Sequence, residues 1–302
     1  MVSKIDRYLM KNIGCTSMVD PLERVIMKSP ITAWKDINKI KNNWKDLHFS
    51  AEPIYNKAIS QFDQLMNLIE SFGTEILMLP SDNKTNLDSI YTHDPGITTS
   101  TGIIIGNMGK AERENEPKTL KNFLIHNNIP VVGEIKYPGI IEGGDVLWIN
   151  KRTIAVGEGY RTNKEGIQQL KVILGNQIDQ IITVPLPHWR GSETCLHLMS
   201  NVSPIDYNLY LIYPKLLPVR FIEYLKNQNI KLINVPNEEY ESMACNVLAL
   251  APKKCIMMSG NPKTKKLLES NNVEVFTYDG SEISLKGAGG PTCLTRPIYR
   301  SK

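Results

Sequence analysis

A short apolar segment with the character of a β-strand recurs along the chain. Successive copies are about 40 to 55 residues apart, a period typical of propellers and other repeat folds. Each copy tends to follow a stretch with helical periodicity and a Gly or Asn. The five copies are Glu75–Pro80, Ile129–Gly133, Gln180–Pro185, Ile230–Pro236 and Val273–Tyr278.

The helical stretch is longest before the first copy, where the apolar residues of Ala58–Phe72 recur at steps of three and four. Shorter stretches with the same periodicity precede the other copies, and each predicts a helix. These stretches are Leu120–His126, Ile167–Leu174, Phe221–Leu225 and Thr264–Leu268.

Most of these helices are preceded by two β-rich runs with a turn between them, which is the pattern of a hairpin. Val146–Val156 and Asn246–Met258 are the clearest examples, while Gly96–Ile105 and Leu196–Ile212 fit more loosely. The repeating unit is therefore strand, turn, strand, helix, strand. Five units around an axis predict one closed α/β domain. An ordinary mixed α/β fold with coincidental spacing is the alternative.

In several units a reactive side chain stands at or near the first hairpin strand. These residues are Asp94, Glu142, His197, Asn246 and Cys293. Equivalent positions in a rotationally repeated fold point toward the same end of the axis. The sequence therefore predicts that side chains far apart along the chain meet in one cavity.

The residue types in this set suit attack on a planar cation. A cysteine such as Cys293 is a good nucleophile as the thiolate, and a histidine such as His197 can lower its pKa or carry its proton. Carboxylates such as Glu142 and Asp94 disfavour a thiolate. They do pair with a guanidinium through parallel hydrogen bonds. The set therefore suits a cysteine nucleophile that acts on a planar, cationic electrophile.

The other four cysteines neighbour apolar residues, and each is interpreted as a small buried hydrophobe. They are Cys15, Cys195, Cys245 and Cys255. The number of cysteines is odd, and none forms a Cys-x-x-Cys pair or a Cys/His cluster. The sequence therefore predicts reduced thiols and no zinc site.

Composition narrows the class of protein further. Of the 302 residues 41% are hydrophobic and 22% charged, as in ordinary soluble globular proteins. The net charge of +4 is small for this length and does not indicate nucleic-acid binding, which needs a concentrated basic face. We expect no secretory signal, and no apolar run approaches the roughly 18 residues of a membrane helix. The expectation is one cytoplasmic catalytic domain over residues 1–302, with residues 1–24 as an N-terminal extension and a homodimer left open.

Three motifs resemble the guanidine-modifying superfamily, also called the amidinotransferase or pentein superfamily. They are Glu142–Asp145, Leu196–Leu198 and Gly289–Cys293, in the family's order. The family includes arginine deiminase, dimethylarginine dimethylaminohydrolase and the amidinotransferases, and the resemblance runs from about Val25 to Arg300. It implies a five-module α/β propeller, which agrees with the repeat.

The resemblance implies roles for matching positions. Cys293 would attack the guanidinium carbon, and His197 would protonate the leaving amine and then activate water. Glu142 would bind guanidinium nitrogens and hold the environment of the histidine.

Substrate contacts are implied as well. Asp88 and Asp94 match the first and last acids of a substrate-binding loop. Arg113 and Arg161 match arginines that can grip an α-carboxylate, with a surface or structural ion pair as the alternative for either. Asn246 is a further candidate for substrate binding.

Two departures from the family leave the substrate open. His93 stands where dimethylarginine hydrolases can carry an acid and deiminases an arginine. Met199 replaces an aspartate that deiminases use for the guanidinium, which leaves His197–Ser200 closer to the dimethylarginine hydrolases. The chain also has no room for the extra helical domain of a deiminase.

The first hypothesis is a hydrolase of arginine or methylated arginine. It would work through a covalent thiouronium intermediate and give a ureido product, with no cofactor or metal. One alternative is an amidinotransferase that passes the amidino group to an amine, and a close variant is a dihydrolase that takes arginine to ornithine. A third hypothesis is a catalytically idle propeller that acts only by binding.

Overall fold

The computed structural model describes residues 13–301, in which fifteen strands form five separate three-stranded sheets. The strands are β1 (Leu22–Met27), β2 (Glu75–Met78), β3 (Gly96–Thr98), β4 (Ile103–Ile105), β5 (Val131–Glu134), β6 (Val146–Asn150), β7 (Thr153–Glu158), β8 (Gln180–Pro185), β9 (Val202–Asp206), β10 (Leu209–Ile212), β11 (Lys231–Asn234), β12 (Val247–Ala251), β13 (Lys254–Met258), β14 (Glu274–Tyr278) and β15 (Arg296–Arg300).

Eight α-helices connect these strands in the described part of the chain. They are α1 (Pro30–Ala33), α2 (Ile37–Asn43), α3 (Tyr55–Glu70), α4 (Glu116–His126), α5 (Lys164–Leu174), α6 (Val219–Asn227), α7 (Asn237–Tyr240) and α8 (Pro262–Glu269). Short 3₁₀ or π turns lie at Leu87–Ile90, Ala111–Arg113, Gly143–Asp145, Gly175–Gln177, Leu198–Ser200, Pro214–Leu216 and Ser281–Leu285.

Four sheets are built from consecutive strands, namely β3-β4-β5, β6-β7-β8, β9-β10-β11 and β12-β13-β14. In each, the middle strand pairs antiparallel with the strand before it and parallel with the strand after it. A helix fills the parallel crossover, because parallel neighbours cannot be joined by a tight turn. The predicted unit of strand, strand, helix and strand is confirmed, and so is the five-module α/β propeller.

Burial falls from the axis outward. β4 is wholly buried, whereas β8 is mostly half-exposed or exposed. The first strands of the hairpins lie innermost, where β9 contacts β12 and β3 contacts β15. Each crossover helix covers its sheet with one apolar stripe, as α3 does by burying Ala58, Phe62, Leu65 and Ile69. The innermost strands therefore begin at a shared axis, and their preceding loops converge there.

The remaining module is made from both ends of the described chain. β1 pairs antiparallel with β15 and parallel with β2, and an isolated bridge joins Gly14 to Tyr299. The repeat pattern did not predict this pairing. Ile26 and Ile298 are fully buried and belong to one core cluster at this seam. The β1–β15 pairing therefore closes the ring.

The domain boundaries stay a prediction. Residues 1–12 of the expected extension 1–24 lie outside the described residues, while Leu22–Arg24 already belong to β1. Within residues 13–301, none of the helices is both long and apolar enough to span a bilayer.

The seam should be sensitive to cavity formation. Ile298→Ala removes a fully buried side chain from the seam and is expected to lower the free energy of unfolding by about 2–5 kcal/mol. Ile125→Ala is the matched control, because Ile125 is 59% exposed on α4, and a change within about 0.5 kcal/mol is expected. Urea unfolding followed by circular dichroism measures both. Equal losses in the two variants would mean that the seam is not a packed contact.

Candidate active site

The predicted catalytic residues, together with Asp94 and Asn246, come from the loops that precede the innermost strands. Asp94 precedes β3, His197 precedes β9, and Cys293 precedes β15. They meet in a cavity of about 330 Å³, which we call the substrate cavity. Of the predicted residues, Asp88, Asp94, Arg113, Arg161, His197 and Cys293 line it. Glu142 and Asn246 stand behind this lining, each in contact with a side chain that faces the cavity.

A buried acid–imidazole pair lies at the centre of the site. His197 Nε2 is 2.7 Å from Glu142 Oε2, and Glu142 is completely buried. The other carboxylate oxygen accepts hydrogen bonds from the backbone N–H of Gly109 (2.9 Å) and of Lys110 (3.3 Å). Burial raises the pKa of Glu142, but the hydrogen bond and charge of His197 outweigh it, and the net pKa is lowered. Glu142 is therefore held ionised.

The second ring nitrogen of His197 faces two further acidic groups. Nδ1 lies 3.6 Å from Cys195 Sγ and 3.8 Å from Asp94 Oδ1. Burial lowers the pKa of His197. Cys195, Asp94 and Asp145 raise it by more than burial lowers it, so the net pKa lies well above its usual value. His197 is therefore an imidazolium in the free site, able to give a proton.

The imidazole has support from behind. Asp145 Oδ1 accepts the backbone N–H of Leu198 at 2.8 Å, and Oδ2 accepts the Thr162 hydroxyl at 2.7 Å. These contacts fix the loop that carries His197. Position 144 requires a glycine because the imidazole packs against its backbone, and a Cβ there would lie 2.5 Å from His197 Nδ1.

The candidate nucleophile is protonated when the site is free. Burial raises the pKa of the Cys293 thiol to about 12, and the nearby Asp94 raises it as well. Asn246 opposes this, because its Nδ2 donates to Cys293 Sγ at 3.1 Å. Asn246 Oδ1 in turn accepts the backbone N–H of Thr292 at 3.0 Å, which anchors the loop. A bound cation would offset the effect of Asp94 and favour the thiolate.

Arg113 is engaged in buried ion pairs. Its Nε and Nη2 donate to the carboxylate of Glu116 at 2.9 and 2.8 Å, and Nη1 donates to Asp94 Oδ2 at 2.6 Å. A further bond goes to the backbone oxygen of Tyr91 at 2.9 Å. Most of the five guanidinium N–H groups are therefore already used. The pair also keeps Asp94 ionised, because His197 and Arg113 together lower its pKa by more than burial raises it.

Arg161 is the less engaged arginine of the site. Its Nη1 approaches Glu142 Oε1 only at 3.6 Å, although the side chain is buried. Asp88, expected to contact substrate, is held by Lys110, whose Nζ lies 2.6 Å from Asp88 Oδ2. Lys110 also lines the substrate cavity. No sequence pattern singled it out.

Asp94, Glu142 and His197 could together hold a metal ion, since one ligand atom from each lies within 4.8 Å of the others. The same side chains already bind each other, Arg113 and backbone N–H groups. These contacts explain their closeness without an ion. The expected independence from metal stays a prediction.

Two sequence-based interpretations are corrected by the structure. Cys195 is not an inert buried hydrophobe, because it is part-exposed, lines the substrate cavity and contacts His197. Its position two residues before His197 indicated this role, because residues two apart in an extended segment face the same side. His93 and Met199, expected to bear on substrate choice, do not line the cavity. His93 Nδ1 bonds the backbone oxygen of Thr295 at 2.8 Å, and Met199 lies in a core cluster.

Comparison with known proteins agrees with this geometry. The family model for N,N dimethylarginine dimethylhydrolase, eukaryotic, matches residues 29–300. N(G),N(G)-dimethylarginine dimethylaminohydrolase of Pseudomonas aeruginosa is 28% identical over 244 residues, which are 81% of this chain and 89% of that protein. Arginine deiminase of Streptococcus equi subsp. equi is 26% identical over 250 residues, which are 70% of this chain and 60% of the deiminase.

A solved structure shows the same fold. Dimethylarginine dimethylaminohydrolase from Pseudomonas aeruginosa, as a cysteine-to-serine mutant complexed with citrulline, superposes with a TM-score of 0.75 at 24% identity. The superposition covers 92% of this chain and 100% of that one. The family-model match over residues 29–300 confirms the resemblance to the guanidine-modifying superfamily. The chain belongs to the eukaryotic N,N-dimethylarginine dimethylhydrolase family.

Proposed function

We propose that this protein is a cysteine-dependent hydrolase of a guanidino substrate, arginine or a methylated arginine, that works through a covalent thiouronium intermediate. The observation that carries the proposal is the shared cavity, in which Cys293, His197 and Asp94 face the same space. A thiol, an imidazolium and a carboxylate are what attack on a guanidinium requires: a nucleophile, a proton donor and an anion that binds the cation.

The chemistry follows from the charges of the site. The guanidinium binds beside Asp94, and its positive charge favours loss of the Cys293 proton to solvent, since His197 is already protonated. The thiolate attacks the guanidinium carbon and forms a tetrahedral adduct. His197, held as an imidazolium, gives a proton to the departing nitrogen, and the amine leaves. The neutral imidazole then takes a proton from water, whose oxygen attacks the thiouronium carbon. The C–S bond of this adduct then breaks, the sulfur recovers its electron pair and takes up the hydroxyl proton of the adduct, and the ureido product leaves.

Glu142 would act through His197. It does not line the substrate cavity, and its carboxylate holds the imidazole at 2.7 Å. A buried carboxylate at this position keeps the ring oriented and stabilises the imidazolium. We therefore propose Glu142 as a positioning residue for the proton donor.

The α-carboxylate of an amino-acid substrate would bind Arg161, with Arg113 as the second arginine. Arg161 lines the substrate cavity and has only a long contact with Glu142. Arg113 holds Asp94 and Glu116 and has little hydrogen-bonding capacity left for a ligand.

Replacement of the nucleophile tests the covalent step. Cys293→Ser is expected to lower kcat by at least about a thousandfold on arginine and dimethylarginine. Cys255→Ala is the control, because Cys255 is buried away from the cavity. Products are identified by mass. Citrulline would support hydrolysis, ornithine with a modified amine would support amidino transfer, and ornithine with ammonia a dihydrolase. Full activity of Cys293→Ser would exclude the mechanism.

The raised thiol pKa predicts a pH dependence. With the pKa of Cys293 at about 12, the thiolate fraction grows with pH, so alkylation by neutral iodoacetamide should accelerate about tenfold per pH unit between about pH 7 and 9. A cationic haloacetamidine should react faster than iodoacetamide near pH 7, since its charge stabilises the thiolate. Peptide mapping assigns the label to Cys293. A rate that is flat over this range would show that the thiol is already ionised.

The two arginines should respond differently. Arg161→Ala is expected to lower kcat/KM for arginine by about 10- to 100-fold, while agmatine, which lacks the carboxylate, changes less than about threefold. Arg113→Ala is expected to destabilise the protein by about 3–5 kcal/mol, because buried Asp94 and Glu116 lose their cation. Steady-state kinetics and urea unfolding measure the two effects. Equal losses on arginine and agmatine in Arg161→Ala would remove it from the carboxylate site.

A further inference from the structure

A second cavity of about 330 Å³ lies directly beside the substrate cavity. Both are lined by Cys195, Thr194, His48 and Ala288. The second cavity is also lined by Trp189, and we call it the aromatic chamber. It lies against the loop before His197, the loop before β12 and the turn after Ser281–Leu285. The two spaces therefore share one wall.

Aromatic and apolar side chains set the character of the aromatic chamber. Trp189, Tyr240 and Met243 line it. Trp189 packs edge-on against Tyr240 with ring centroids 5.8 Å apart, and Tyr213 stacks on the other side of Tyr240 at 3.8 Å. Rigid aromatic walls of this kind bind apolar groups with little loss of side-chain entropy.

The charged side chains around the aromatic chamber are neutralised by neighbours. Arg190 donates to both carboxylate oxygens of Glu241, at 3.0 and 2.9 Å, and Lys286 pairs with Glu282. The substrate cavity differs, since the charged groups that line it include the buried His197 and Asp94, whereas Arg190 and Glu241 are more than half exposed to solvent. The aromatic chamber thus suits an uncharged, apolar group.

The backbone around the aromatic chamber is held in an unusual conformation. His48, Trp189, Met243 and Ala288 have positive φ angles of 63°, 44°, 64° and 57°. Residues other than Gly and Asn rarely adopt this left-handed backbone region, because the conformation costs about 1–3 kcal/mol per residue. Such strain persists only where surrounding contacts fix it. The contacts that fix these four residues therefore also hold the aromatic chamber in a defined shape.

Two residues that line the aromatic chamber contact the reacting groups of the substrate cavity. Cys195, in the wall of the aromatic chamber, lies 3.6 Å from His197 Nδ1, the ring nitrogen that is not bonded to Glu142. Asn246, also in its wall, donates to Cys293 Sγ at 3.1 Å. A departing nitrogen that takes its proton from His197 must lie near Cys195. A substituent on that nitrogen then points toward the chamber.

We propose that the aromatic chamber is a subsite for an apolar substituent on the departing nitrogen of the guanidino substrate, one larger than the methyl groups of dimethylarginine. The proposal rests on the proposed function. A methyl group takes about the space of one water, roughly 30 Å³, so two methyl groups would leave most of the chamber empty. The products would be a ureido compound and an apolar primary or secondary amine.

The test compares L-arginine with its Nω-methyl, Nω-propyl and Nω-benzyl derivatives. For the wild type, kcat/KM on the benzyl derivative is expected within about tenfold of the methyl derivative. Trp189→Ala is expected to lower kcat/KM for the benzyl derivative about tenfold or more, and for arginine less than threefold. Trp189→Phe should restore most of the loss. Tyr160→Phe is the matched control, because Tyr160 holds the same loop through His188 at 2.6 Å but lines neither cavity.

A binding series separates this proposal from the hydrolase itself. Calorimetry on Cys293→Ser should give tighter binding of the benzyl than of the methyl derivative, and Trp189→Ala in that background should abolish the difference. Binding preference without turnover of any member would overturn the hydrolase and keep the subsite. Turnover of arginine with rejection of the benzyl derivative, or equal effects of Trp189→Ala on all members, would overturn the subsite and keep the hydrolase.

Discussion

The buried pair of Glu142 and His197 is the contact on which the site depends. Neither group could be charged in the interior alone, because an isolated buried charge costs several kcal/mol. Each is stabilised by groups from other modules, including the backbone of Gly109 and the side chain of Asp94. A local fold could not supply such partners. The ring supplies them because its loops converge at one end of one axis.

The modules and the site residues could be predicted because their signals are local. Hydrophobic periodicity within 10 to 20 residues sets each helix and hairpin, and repetition places Asp94, His197 and Cys293 at equivalent points. Pairings between distant segments left no such signal. The β1–β15 contact and the Arg113–Asp94 pair depend on how the ring closes and packs. Cys195 was misjudged because a cysteine beside apolar residues is usually core.

The proposed subsite would divide the recognition of a substrate between charge in the substrate cavity and shape in the aromatic chamber. The substrate cavity holds acids that are already balanced by Arg113 and Lys110, so a guanidinium joins a neutralised network and does not meet bare carboxylates. Charge alone does not distinguish one guanidine from another in such a site, because every guanidine carries the same positive charge. In the proposed subsite, substituted and unsubstituted guanidines would be distinguished beside Cys195, which lines both cavities.

The closing strand has a consequence for how the protein fails. β15 begins at Arg296, three residues after Cys293, and its partner β1 is separated from it by most of the chain. Contacts between such distant segments form late and are among the first to fray. A transient parting of these strands would carry the sulfur away from its imidazole while the other four modules remained folded. The time for which the protein stays active would then be set by the backbone hydrogen bonds between β1 and β15 and not by the average stability of the five modules.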